Sequence, residues 1–199
     1  MIAIIDYGMG NLRSVQKAME KNGADAHITQ DPELIARADK LVLPGVGAML
    51  PAMEKLQDLG LTDVIRKFIE TGKPFLGICL GLQLLFEKSS EGGENVGLNL
   101  FRGTVERFNQ LKVPHMGWNQ LQIKSKNCPL WKGVEDGANV YFCHSYYANP
   151  ADTTTIASTT PYGPDFTSAI WKGNVFAVQF HPEKSQDVGL KILENFIKL

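Results

Sequence analysis

The chain is poor in cysteine, with three in 199 residues. So few thiols exclude a disulfide framework and suit a reducing compartment, so a cytoplasmic location is expected. A chain of this length buries roughly 70% of its unfolded surface and needs no covalent staples. Long apolar runs are missing too, and nothing approaches the ~20 residues that span a bilayer. Met1-Ile2-Ala3-Ile4-Ile5 enters a strand at once, with no basic leader before it, so no signal peptide is expected. Neither charge sign dominates: the net charge of −1 leaves no electrostatic footprint for nucleic acid. His27 and His115 lack companions at metal-ligand spacing, so neither a metal nor a cofactor is expected.

What the chain does have is a nucleophile motif. Cys79 lies inside Gly77-Ile78-Cys79-Leu80-Gly81, at the end of an apolar run from Pro74. A strand turning sharply into a helix pushes one side chain out at the crest, and bulky neighbours two positions away would collide. The stretch Leu80 to Phe86 reads as the following helix, with Leu82, Leu84, Leu85 and Phe86 buried. Its N-terminus favours the reactive thiolate. The Leu80 N–H is placed to help hold an oxyanion. A buried structural cysteine would give the same local pattern, so a second motif must decide.

That motif is His181-Pro182-Glu183, at the end of the apolar run Val175 to Phe180. In an extended segment residues i and i+2 face one way, which would put His181 and Glu183 together. A carboxylate beside an imidazole fixes its tautomer and stabilises the imidazolium. Cys79, His181 and Glu183 thus read as nucleophile, base and orienting acid. The adjacent pair Cys143-His144 is a poorer candidate, because neighbours in a strand point to opposite faces. Cys143 reads as core packing, and Cys128 has no evident partner.

A third segment, Pro44-Gly45-Val46-Gly47, follows the short apolar strand 40–43. Glycines there let backbone amides face a ligand, and ligands sit at the carboxyl ends of strands in open α/β sheets. The amide of Val46 or Gly47 is the expected second oxyanion donor.

Residues 1–80 alternate strand and helix: strand 2–5, a helix over about 11–21 capped by Asn11, strand 24–28, a short helix after Asp31-Pro32, strand 40–43, and a helix over 63–70. This rhythm predicts a mostly parallel, flavodoxin-like α/β sheet flanked by helices. Residues 98–178 change to short strands with turns, at 103–108, 119–123, 139–142, 153–158, 168–171 and 175–180, some necessarily antiparallel. A helix over 186–199 closes a single domain spanning 1–199. Residues 89–95 are expected to be a mobile loop.

These motifs, with Asp6-Tyr7-Gly8-Met9-Gly10-Asn11, Pro114-His115-Met116-Gly117-Trp118-Asn119 and the continuation Lys184-Ser185, resemble class I glutamine amidotransferases. Within that class they are most similar to glutaminase subunits of imidazole glycerol phosphate synthases. The resemblance runs along nearly the whole chain. It implies hydrolysis of glutamine to glutamate and ammonia. It further implies a heterodimer with a (β/α)₈ cyclase that makes imidazole glycerol phosphate and aminoimidazole carboxamide ribotide in histidine biosynthesis. It places Gln83, His144, Ser145 and Tyr146 at the glutamine, Gly45, Val46, Gly47 and Leu80 at the oxyanion, and Met116, Trp118, Tyr141 and Lys184 at or near the cyclase. Two other readings remain open from the residues alone. One is the same glutaminase serving another synthase, such as one amidating a sugar; the other is a flavodoxin-like cysteine hydrolase without an ammonia partner.

Overall fold

Strand and helix alternate because short, wholly apolar runs are interleaved with segments that are apolar on one face only. The computed structural model describes residues 1–91, 95–109 and 111–199. In chain order its elements are β1 (Ile2–Ile5), α1 (Leu12–Lys21), β2 (Ala26–Thr29), α2 (Pro32–Arg37), β3 (Lys40–Gly45), α3 (Met49–Asp58) and α4 (Leu61–Glu70). Then follow β4 (Phe75–Cys79), α5 (Leu80–Gln83), β5 (Phe86–Ser89), β6 (Asn95–Val96), β7 (Phe101–Arg107), β8 (His115–Gln120) and β9 (Gln122–Ile123). The last are β10 (Asn139–His144), β11 (Tyr146–Pro150), β12 (Ile156–Pro161), β13 (Asp165–Lys172), β14 (Val175–Val178) and α6 (Gln186–Ile197).

The main sheet runs β2-β1-β3-β4-β14-β13-β11-β7-β5-β6, with β12 on β13 and β9 on β12. From β2 to β14 every pairing is parallel; beyond β14 the pairings are antiparallel except β5 with β7. β8 and β10 form a separate antiparallel ribbon. One face of the sheet packs on α2, α3 and α4 through Ile35, Met53, Leu56, Ile65 and Phe68. The other packs on α1 and α6 through Val15, Met19, Ile192, Leu193 and Phe196. Helices on both faces are what buried parallel strands require. No helix among the described residues is long and apolar enough to cross a membrane.

α2 starts as expected: Asp31 Oδ1 accepts the Glu33 N–H at 2.9 Å, and Pro32 takes the first helical position. Asn11 does not cap α1 in this way; its side-chain oxygen accepts the Ser14 hydroxyl at 2.9 Å instead. The helix expected over 80–86 stops at Gln83, because Phe86 pairs with Phe101 and joins the sheet as β5. The expected strand 119–123 is split: residues 115–120 lie in the ribbon and 122–123 in the main sheet. The loop expected at 89–95 begins and ends in strands. Ser89 closes β5 and pairs with Asn95, while residues 92–94 lie outside the described residues.

The parallel register places Gly45 beside Cys79 and Val178 beside Ile78. The carboxyl ends of β3, β4 and β14 therefore meet at one rim, and three distant sequence segments converge there.

Candidate active site

Steric exclusion shapes the crest. Cys79 has φ 55° and ψ −108°, a conformation L side chains rarely adopt. A Cβ on Gly77 would lie 2.7 Å from the Gly81 carbonyl oxygen, and one on Gly81 would collide with the Leu43 carbonyl oxygen. Only glycine lets strand, crest and neighbouring strand close together.

The Cys79 side chain is 5% exposed. Its thiol donates to the Cys143 carbonyl oxygen at 3.9 Å, and Gln179 Nε2 donates to the sulfur at 3.6 Å. Gln179 is fully buried, and its Oε1 accepts from Gln83 Nε2 at 3.0 Å. Gln83 Nε2 also donates to the Tyr146 carbonyl oxygen at 2.9 Å. Because α5 is a single turn, fixed side-chain partners replace much of the electrostatic support a long helix would give.

His181 arrives from β14 by a different route from the extended one expected. The strand ends at Val178, and Pro182–Lys184 forms a 3₁₀ turn. That turn brings Glu183 back onto the ring, where Oε1 meets His181 Nδ1 at 2.9 Å. The other Glu183 oxygen is buried without a hydrogen-bond partner. With Nδ1 engaged, Nε2 is the nitrogen left for the sulfur. Burial alone would lower the His181 pKa, but the Cys79 sulfur and the Glu183 carboxylate outweigh it and push it up to about 10. The backbone is pinned as well: the His181 N–H donates to the Tyr141 carbonyl oxygen at 2.9 Å, and Ser185 Oγ donates to the His181 carbonyl oxygen at 2.6 Å.

Cys79 and His181 open onto a cavity of about 250 Å³. Val46, Gly47, Leu80, Gln83, Ser145 and Tyr146 line it, as does His144. Gly45 does not; it lies under Leu80 and the Tyr7 hydroxyl, in a space a Cβ would fill. Gly47 has φ +101°, which leaves the peptide of the oxyanion segment free to take conformations closed to other residues. The His144 ring faces inward: Nε2 meets His115 Nδ1 at 3.0 Å and Nδ1 meets the Tyr146 carbonyl oxygen at 2.8 Å. Burial lowers the His144 pKa to about 3 and that of His115 to about 4. His144 is thus a neutral buried histidine with both ring nitrogens engaged.

Two residues had no usable signal in the sequence: Gln179, which backs the Cys79 sulfur, and Glu91. Gln179 sits in an apolar strand-end run with nothing to distinguish it. Glu91 lines the cavity while Oε2 accepts the Met49 N–H at 2.8 Å; a lone acid after Ser89-Ser90 reads as a solvated turn. Cys143 corrects the reading as core packing, for it is half-buried and lines the same cavity as Cys79.

Of the four residues implied at a cyclase contact, Lys184 lines the cavity. Its Nζ lies 5.8 Å from the Tyr141 ring centroid, and Trp118 meets Tyr141 edge-on at 6.0 Å. Trp118 is 48% exposed and Met116 61%, so together they give β8, the strand paired with β10, an aromatic and apolar surface.

The chain matches the family described as glutamine amidotransferase class-I over residues 3–199. It is 55% identical over 204 residues to the imidazole glycerol phosphate synthase subunit HisH of Syntrophotalea carbinolica, covering 98% of each chain. It is 56% identical to the same subunit of Geobacter sulfurreducens, covering 98% of this chain and 97% of that one. A solved glutamine amidotransferase superposes with a TM-score of 0.78 at 19% identity, each chain fully covered, which shows a shared fold. The chain belongs to the class-I glutamine amidotransferases, and within them to the HisH family of imidazole glycerol phosphate synthase subunits.

Proposed function

We propose that this chain, as one domain, hydrolyses glutamine to glutamate and ammonia in the cytoplasm. It passes the ammonia to a (β/α)₈ cyclase subunit that forms imidazole glycerol phosphate and aminoimidazole carboxamide ribotide in histidine biosynthesis. The observation that carries the catalytic part is the buried line of Cys79, His181 and Glu183 opening onto a cavity sized for one amino acid.

The Cys79 sulfur attacks the side-chain carboxamide carbon. The Leu80 N–H and an amide of the Gly45-Val46-Gly47 segment take the developing oxyanion. His181, held as an imidazolium by Glu183, gives its proton to the departing ammonia and leaves a γ-glutamyl thioester. It then takes a proton from the water that splits the thioester. Backbone at His144, Ser145 and Tyr146 and the Gln83 side chain position the substrate, while the Glu91 carboxylate complements its α-ammonium. Met116, Trp118 and Tyr141, beside Lys184, supply the surface on which the cyclase docks.

Ammonia release from the chain alone, and with a cyclase and its nucleotide, tests this reading. Turnover is expected to be low alone and to rise with partner and nucleotide, because Gly47 lets the oxyanion segment rest with an amide turned away. Cys79→Ala is expected to abolish glutamine-dependent product while ammonia-dependent product persists. Unchanged glutamine-dependent product from Cys79→Ala would overturn the reading.

A further inference from the structure

Two of the three cysteines face one cavity. Cys79 and Cys143 both line it, and the Cys79 sulfur lies 3.9 Å from the Cys143 carbonyl oxygen. The strand carrying one thiol thus packs directly on the crest carrying the other. Cys143 is half-buried and alternates along β10 with the buried Phe142 and His144, so its side chain is on the accessible face with Tyr141. The reaction proposed above uses only one of these thiols.

We propose that Cys143 is the resolving thiol for Cys79, and that the pair is a site of reversible oxidation by hydrogen peroxide. This rests on the reading of Cys79 as nucleophile and goes beyond it. The Cys79 thiolate attacks one peroxide oxygen. The O–O bond breaks, the sulfur becomes a sulfenic acid, and hydroxide leaves and is protonated to water. The sulfur loses two electrons and the peroxide gains them. The Cys143 sulfur then attacks the sulfenic sulfur. An S–S bond forms, the S–OH bond breaks, and the hydroxide leaves with the Cys143 proton as water. A dithiol reverses the step by exchange, taking the two-electron oxidation onto itself.

The disulfide withdraws the nucleophile and fills the cavity mouth, so glutamine turnover stops while the bond lasts. It also keeps the sulfenic acid from reaching the irreversible sulfinic state. The third cysteine serves as an internal control. Cys128 is 2% exposed, and burial pushes its thiol up to about 12, so it stays out of this chemistry.

The test uses the full chain assembled with its cyclase, treated with hydrogen peroxide and then with dithiothreitol. Peptide mass mapping and glutamine-dependent turnover are read at each stage, each variant normalised to its own untreated rate. Wild type is expected to yield a peptide linking Cys79 to Cys143 and to regain activity on reduction. Cys143→Ser is expected to accumulate Cys79 sulfinic acid and to regain at least about tenfold less activity. Cys128→Ser is expected to follow wild type. Cys79 oxidised without a link to Cys143, at equal rates in wild type and Cys143→Ser, would overturn the proposal. So would a link to Cys128. Cys79 inert to peroxide would instead count against its reading as nucleophile, and the proposal would fall with it.

Discussion

Replacing Gln179 by leucine keeps most of the side chain's bulk and removes the amide that donates to the Cys79 sulfur at 3.6 Å. It also leaves Gln83 Nε2 with one acceptor, the Tyr146 carbonyl oxygen. Gln179 is thus a positioning residue, and Gln179→Leu is expected to lower kcat about tenfold, the effect of misplacing a nucleophile rather than removing it. A fall in kcat with KM little changed supports this; a change in KM alone would not. Tyr7 behaves in the opposite way. Its hydroxyl is buried against Gly45 with no hydrogen-bond partner, and burial, aided by the nearby Cys79, holds the phenol in its neutral form. An unmet buried hydroxyl costs about 1–3 kcal/mol. Tyr7→Phe is therefore expected to raise stability by about 1 kcal/mol, read as a higher midpoint in denaturant. Cys79, His181 and Glu183 were legible because each belongs to a short motif with its own steric or chemical signature, whereas Gln83 came only through the family resemblance. Gln179 and Glu91 were not, because an amide or carboxylate in a strand end or turn acquires meaning only from what folds against it.

The elements show the same division. β1, β3, β4, α1, α2 and α6 follow from period and punctuation: apolar runs, one-sided helices, and the Asp31-Pro32 start. α3 went unread, since Pro51 within Met49–Asp58 looks like a breaker; it sits in the first turn, where its missing N–H is harmless. α5 was read too long because Leu84, Leu85 and Phe86 fit a buried helix as well as they fit the turn into β5. Pairing with β7 decided the matter, and no local pattern reports it. The elbow is stricter. Gly81→Ala would drive a methyl into the Leu43 carbonyl oxygen in the middle of the sheet. It is expected to destabilise the fold by about 3 kcal/mol or more, read in equilibrium unfolding. A ΔΔG below about 1 kcal/mol would show that β3 and α5 can separate without loss.

At the scale of the whole molecule, stability should bend with pH at both ends. His115 and His144 are buried and neutral, with pKa values near 4 and 3. Below the ordinary histidine pKa of 6.5 the unfolded chain takes up protons there and the folded chain does not, so stability falls as pH drops from 6.5 toward 4. His181 is raised to about 10, so its contribution is full below 6.5 and is lost as pH climbs through 10. Chemical denaturation across pH 4–10 is expected to trace a dome. His115→Gln should flatten its acid limb and His181→Gln its alkaline limb.

β14 lies between β4 and β13 in the middle of the main sheet, although it is the last strand in the chain. While the polypeptide is still being made, the thiol emerges about a hundred residues ahead of the imidazole, beside a slot its neighbour has yet to enter. A partly synthesised chain therefore holds the Cys79 sulfur before His181 exists to meet it, and on the reading proposed above such a fragment is expected to leave glutamine intact. Competence arrives all at once, with the strand that zips the two halves together.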